Sequence, residues 1–431
     1  MPENRANPES RLIGISYVRF PARGERPGPP IVYLAGGPGG SGVETARVWR
    51  FPLFMAMREF GDVIALDQRG TGWSNAITVC ESDWRLPMDK AIELDEMVAG
   101  MRVMAADCAD YWKAEGVDLA GYTTRESARD IEALCEAWGV DEVSLWGISY
   151  GSHLALATLK EMKGRIHKVV IAAVEGLEDT VRFPARTDGY FERLQAAIDA
   201  DPAITEVVPD LKGLMRRVHS RLEREPVEWE VASLEGGSQL VVFGKFEMQM
   251  LASSMIADPR TSKHLPWLYV MADAGDFSQV APLVLQYIKM ALAAMRGMPE
   301  AMDVTSGSSE ARLALVENQG AGALLGDLLN FPMPHLRGTF GLEVLGEGFW
   351  ESVVTDVPTL AFSGTLDGRT YPESTREALA GFSDLNHVVV ENGGHNNVYM
   401  QDAAIGDAIR AFMRGEAVPE RIEVEGPRFG E

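Results

Sequence analysis

Apolar residues fall along the chain in two alternating patterns. Short, nearly unbroken runs occur at Ile31–Leu34 (IVYL), Val63–Leu66 (VIAL) and residues 143–146, 169–174, 358–362 and 388–390, most of them bounded by Gly, Asp or Asn. Unbroken runs of this length are what strands buried on both faces of a parallel sheet require. Residues 11–20 (RLIGISYVRF) are rich in β-branched and aromatic side chains, which predicts a further strand near the start. Between the runs, helical spacing is read over about residues 45–60, 93–115, 125–138, 150–162 and 403–413. Strand and helix in alternation predict a three-layer α/β architecture, a mostly parallel sheet flanked by helices.

One interval breaks that rhythm. Residues 177–349 are mostly helical in pattern and rich in Met and Leu, with a short hairpin expected over residues 226–243, and they lack the strand and glycine-turn punctuation seen on either side. They read as an inserted, mainly helical lid. The chain is then divided into residues 1–176 and 350–431, two parts of one α/β core, with the lid at 177–349 between them. The charged tail after Glu416 is expected to fray.

Composition narrows the function. The 431 residues hold 40 Lys+Arg against 63 Asp+Glu, a formal net charge of −23. Nucleic-acid binding needs a basic stripe to displace counterions, and docking on anionic lipid needs the same sign of charge, so neither partner is expected. The chain has 3 cysteines, and no Cys/His cluster has zinc-ligand spacing, so no metal and no cofactor is expected. No apolar run reaches the length of about 18 residues that spans a bilayer. The first 30 residues carry Glu3, Arg5, Glu9 and Arg11 and no apolar signal-peptide core. As written, a cytoplasmic place is expected, or a periplasmic or secreted one if an export signal has been removed.

Candidate chemistry begins at Gly147-Ile148-Ser149-Tyr150-Gly151, a G-x-S-x-G at the junction of an expected strand and an expected helix. Small residues on both sides permit the sharp turn that exposes a nucleophilic hydroxyl. A serine hydroxyl needs a base, and His395, in the glycine-rich loop after the run at 388–390, stands where a strand's carboxyl end would present one. The third member is an acid that fixes the imidazole tautomer, and Asp367 follows the run at 358–362 in the same way, with Glu175 and Asp179 as rivals. The chain order Ser149, Asp367, His395 is that of α/β hydrolases. The glycine-rich segment Gly36-Gly37-Pro38-Gly39-Gly40 follows the run at Ile31–Leu34. Its backbone, at Gly37, and the N–H of Tyr150 are expected to hold a developing oxyanion, each donor contributing about 2.7–4 kcal/mol. No G-K-[ST] follows the glycines, so a phosphate loop is excluded.

On these residues the sequence resembles the prolyl aminopeptidase and tripeptidyl aminopeptidase group of α/β hydrolases. The likeness is carried by Gly36-Gly37-Pro38-Gly39, Asp67-Gln68-Arg69-Gly70-Thr71-Gly72-Trp73-Ser74, the pentapeptide around Ser149, Gly364-Thr365-Leu366-Asp367 and Gly394-His395. Ile148 and Tyr150 stand where prolyl aminopeptidases often carry Ser and Trp, so the tripeptidyl branch fits better. The resemblance implies the α/β-hydrolase fold and a cleft under the lid in which carboxylates pair the free ammonium of a peptide. Glu175, with Gly36 nearby, is the substrate-binding candidate, and Glu178 and Asp179 are weaker ones. Cys80 and Cys108 read as two buried thiols, with a disulfide as the alternative if the chain is exported.

The expected function is a serine hydrolase working by acyl transfer, an aminopeptidase acting on short peptides or amino-acid amides. The alternative is a carboxylesterase or lactonase with an apolar lid pocket around Met248, Met250, Met255 and Met271, although such residues are more often simply core. A receptor that kept the fold would usually have lost one of these elements.

Overall fold

The computed structural model describes residues 1–430 except 49, 233–235, 290–293 and 396–401. In chain order its strands are β1 (Tyr17–Phe20), β2 (Ile31–Leu34), β3 (Val63–Leu66), β4 (Cys80–Glu81), β5 (Val143–Ile148), β6 (Ile166–Ala172), β7 (Val227–Ala232), β8 (Ser238–Phe243), β9 (Ala294–Met295), β10 (Thr359–Gly364), β11 (Leu385–Glu391) and β12 (Arg421–Glu423). Eight of them form one sheet in the order β1-β3-β2-β5-β6-β10-β11-β12. Only β1 runs antiparallel, against β3; the remaining pairs are parallel.

Alternation along the central strands splits their side chains between two cores. Ile31 and Tyr33 of β2 join Phe54, Trp146, Ile409 and Phe412 on one face. Val32 and Leu34 join the opposite face, covered by helices Leu94–Ala114, Thr124–Trp138 and Tyr150–Glu161. Burial on both faces explains why β2, β3 and β5 have no exposed position, whereas edge strand β1 (YVRF) is exposed at three of its four.

Residues 177–349 serve two cores. Helices Pro184–Asp199, Leu211–Arg224, Lys245–Met255 and Leu265–Asp273, with the β7–β8 hairpin, enclose an apolar cluster of their own. The later helix Met298–Ser306 instead gives Met298, Met302 and Val304 to the core over the sheet, and β9 pairs with β4. Lys289 and Glu247 form a fully buried ion pair at 2.8 Å, and Lys289 also donates to the carbonyls of Pro87 and Lys90, tying the insertion to the loop before helix Leu94–Ala114.

Four sequence expectations change. Of residues 11–20 only Tyr17–Phe20 pair in the sheet. The single helix expected at 45–60 is two, Gly42–Arg47 and Phe51–Met57, the second with Pro52 in its first turn, where a missing N–H costs nothing. The tail does not fray: β12 extends the sheet beside β11, and Phe429 is buried in the insertion's cluster, its carbonyl accepting from Trp267 Nε1 at 2.6 Å. Cys80 and Cys108 are bonded to each other, with Cα atoms 5.6 Å apart, rather than being free thiols. Cys135 stays free, its thiol pushed up to about 11 by burial.

Candidate active site

The elbow is built from sterics. Ser149 follows β5 and precedes helix Tyr150–Glu161, and its φ of 55° lies where L residues are strained by about 1–3 kcal/mol. The flanking glycines make that turn fit: a Cβ on Gly147 would sit 2.4 Å from the Gly151 carbonyl oxygen, and one on Gly151 would sit 2.0 Å from that of Leu34. The hydroxyl is thereby lifted to the sheet's carboxyl edge.

Two neighbouring loops meet it there. His395 Nε2 lies 2.9 Å from Ser149 Oγ, and His395 Nδ1 lies 3.0 and 3.2 Å from the two carboxylate oxygens of Asp367. Asp367 is fully buried; it accepts from the N–H groups of Arg369 and Thr370 at 2.7 and 2.9 Å and from Thr370 Oγ1 at 2.7 Å. Burial alone would favour its neutral form, but His395 and Thr370 outweigh it and hold the carboxyl below its ordinary value. The rival acids lie elsewhere, Asp179 with Arg312 and Glu175 with Arg182. Of the other histidines, His153 faces the Gly176 carbonyl and the Ser306 hydroxyl, and His387 lies within β11, 2.7 Å from Ser363 Oγ.

The insertion holds both loops in place, which no sequence signal announced. The Ile256 carbonyl accepts from Gly368 N–H at 3.1 Å and the Ala257 carbonyl from His395 N–H at 2.8 Å. The acid and histidine loops also join directly, through Leu366 N–H to the Gly393 carbonyl at 2.9 Å.

The glycine loop lies against the nucleophile. A Cβ on Gly36 would come within 3.2 Å of Ser149 Cβ and 2.9 Å of the Ile148 carbonyl oxygen, so backbone alone fits there. Tyr150 is the first residue of its helix, where the N–H has no intrahelical acceptor. Its ring is sealed away, the hydroxyl meeting Thr124 Oγ1 and Met302 Sδ, each at 3.0 Å. Burial raises that phenol's pKa.

The block at 67–74 supports this loop from beneath. Asp67 accepts from Ser41 Oγ at 2.6 Å and Val43 N–H at 3.0 Å, while Gln68 Nε2 donates to the Ala35 carbonyl at 2.9 Å, so both ends of the glycine segment are tied. Arg69, with no exposure, pairs with Asp130 at 2.7 Å and donates to the carbonyls of Glu3 and Gly121. Its role is architectural.

Charged groups gather beside the elbow. Glu175, three residues past β6, is not a free carboxylate: Oε2 lies 3.0 Å from Arg182 Nη2. Burial opposes the charge of Arg182, and Glu175, Tyr371, Asp303 and Asp179 together more than restore it. Asp303 and Glu300 stand on helix Met298–Ser306, whose Met302 touches Tyr150 and whose Pro299 lies against Gly39. Burial first, and Glu175 second, hold the Asp303 carboxyl well above its ordinary value, and burial raises Glu300 as well. Sequence reading missed Asp303, Glu300 and Arg182 because a charge on a lid helix carries no local mark of what it faces.

Residues 29–209 match the family described as the alpha/beta hydrolase fold. The chain is 28% identical over 201 residues to the "Serine protease Hip1" of Mycobacterium tuberculosis, which covers 44% of this chain and 38% of that protein. It is 26% identical over 212 residues to the "Tripeptidyl aminopeptidase" of Streptomyces lividans, covering 47% and 37%. The chain thus spans less than two-fifths of the length of these curated relatives. Among solved structures, an esterase from Exiguobacterium antarcticum is 13% identical with a TM-score of 0.43, covering 96% of this chain and 98% of that one. With a mostly parallel eight-stranded sheet and a serine elbow after β5, the chain has the α/β-hydrolase fold, and residues 29–209 carry the match to that family.

Proposed function

We propose that the chain is a serine hydrolase acting by acyl transfer on short peptides or amino-acid amides with a free amino end. One observation carries this: Ser149, His395 and Asp367 form a continuous hydrogen-bonded relay, 2.9 Å and 3.0 Å between partners, at the carboxyl edge of the sheet. In this reading Ser149 Oγ attacks the carbonyl while His395 Nε2 takes its proton, and Asp367 stabilises the imidazolium. The N–H groups of Gly37 and Tyr150 receive the oxyanion. His395 then protonates the departing amine, and water releases the acyl group by the reverse path.

The free-amine preference rests on the carboxylates beside the elbow. With Glu175 committed to Arg182, Asp303 and Glu300 are the candidates to take an ammonium, and an arriving cation would favour the ionised form of Asp303, whose carboxyl is held well above its ordinary value. The named relatives include a tripeptidyl aminopeptidase, which supports the same reading. The Cys80–Cys108 bond supports a working place outside a reducing cytosol. Among the described residues no helix is long and apolar enough to cross a membrane.

Ser149→Ala is expected to abolish turnover and fluorophosphonate labelling; retained labelling would overturn the nucleophile. Aminoacyl arylamides with free and acetylated amino ends test the substrate class. Equal rates on both would favour the carboxylesterase reading instead.

A further inference from the structure

Arg369 is the anomaly of the loop that presents Asp367. Its backbone is fixed on two sides: the N–H donates to Asp367 Oδ1 at 2.7 Å, and the carbonyl accepts from Arg182 Nε at 2.7 Å. The side chain therefore starts two residues from the acid of the relay, on the loop that presents it. Around it the other arginines are matched: Arg182 with Glu175, Arg186 with Glu377, Arg193 with Glu373 and Arg312 with Asp179. Among the described residues no carboxylate lies within ion-pair reach of the Arg369 guanidinium, although the chain carries 63 acidic residues. The undescribed segment 396–401 contains no acidic residue in its sequence.

Enclosing a cation without a counter-ion is costly, and a ligand that brings negative charge removes that cost. Burial, with Arg182 adding to it and Tyr371 and Asp367 opposing it, draws the Arg369 guanidinium down to about 10. The residue keeps partial access to solvent, so an anion can reach it. A planar guanidinium is suited to a carboxylate, which it holds with two parallel hydrogen bonds.

We propose that Arg369 is a specificity-determining residue that receives a carboxylate of the substrate. The inference rests on the reading of Ser149, Asp367 and His395 as the hydrolytic centre. The carboxylate has two sources in a peptide: an acidic side chain next to the cleaved bond, or the free carboxyl end of a very short substrate. In both cases the preferred substrate is one whose negative charge lies within a few bonds of the carbonyl under attack.

The test is a ratio of kcat/KM within matched pairs, which cancels any general loss caused by disturbing Asp367. Glutamyl against glutaminyl arylamides, with free amino ends, probe the side-chain source; a short alanine peptide with free against amidated carboxyl end probes the other. Acetyl-glutamyl against acetyl-glutaminyl nitrophenyl esters repeat the first pair without needing an amine or an amide bond. The wild-type chain is expected to favour the carboxylate by about 10- to 100-fold in at least one pair, the range of a charged hydrogen bond. Arg369→Met is expected to bring that ratio close to one, and Arg369→Lys to keep part of it. Ratios near one in every wild-type pair would overturn the proposal, as would an unchanged ratio in Arg369→Met. If the arylamides are not cleaved but the blocked esters show the Arg369-dependent ratio, the aminopeptidase reading fails and this one stands. If Arg369→Met does not fold, the wild-type ratios and Arg369→Lys decide.

Discussion

Asp367, fully buried, and Asp303, half-buried, lie near the same serine elbow, and their surroundings push them in opposite directions. Asp367 is fully buried, yet His395 and Thr370 keep it below its ordinary pKa, so it is held as an anion. Asp303 has Glu175 and Glu300 as acidic neighbours and Arg182 as an opposing cation, and burial wins, so its carboxyl is held well above its ordinary value. The difference teaches what each site is for. A group that must orient a histidine in every turnover is supplied with all its partners in advance. On the proposed reading, the group that receives a visiting ammonium has no ion-pair partner among the described residues.

The largest test of the comparison is Asp367→Asn, which keeps the shape but removes the charge and favours the wrong imidazole tautomer; kcat is expected to fall by about 10⁴-fold. Near-normal turnover would return the role of acid to Glu175 or Asp179. Next is Asp303→Asn. Steady-state kinetics should show kcat/KM for free-amino substrates falling by about 10- to 100-fold, with acetylated substrates unaffected. A uniform fall on both would mean that Asp303 supports the fold rather than the ammonium.

The two aspartates also have opposite signs in stability. Asp367, depressed in the folded chain, contributes stability above the unfolded pKa of about 3.9 that is lost as pH falls through the folded value. Asp303, raised, does the reverse: the folded chain holds its proton longer than the unfolded one, so stability falls as pH climbs from about 3.9 towards the folded value. Thermal unfolding of Asp303→Asn at neutral pH is therefore expected at or above the wild-type temperature, and a clear decrease would contradict the unpaired reading. The smallest expected effect is that of Thr370→Val. Loss of its 2.7 Å hydrogen bond to Asp367 should lower kcat by about tenfold, the equivalent of roughly 1.4 kcal/mol. It should also raise the lower limb of the pH–rate profile if Asp367 sets it.

The residues of the relay were readable because each one sits in a local signature. Ser149 has glycines two residues away on either side, and His395 and Asp367 each follow an apolar run and a glycine. The glycine loop was readable for the same reason. The expected ammonium site was not. Glu175 looked free in sequence, and its partner Arg182 is only seven residues on, but nothing in the spacing says that the chain turns back there. Asp303, 128 residues downstream of Glu175, meets it only because helix Met298–Ser306 leaves the insertion and lies over the sheet. The disulfide and the last strand were missed for related reasons: thiol pairing depends on how Cys80 is placed beside helix Leu94–Ala114, and β12 is three residues, too short for a pattern.

The sequence alone determined the alternation of strands and helices, the sharp turn at Ser149 and the order of the three relay residues, since all of these follow from periodicity and backbone sterics within a few neighbours. Tertiary structure alone decided which charges are matched. Coulomb energy and desolvation depend on distance in space, and in this chain the deciding distances join residues from both parts of the core and the insertion between them. That is why Arg182 has a carboxylate partner, Arg369 has none among the described residues, and the carboxyls of Asp367 and Asp303 are pushed in opposite directions.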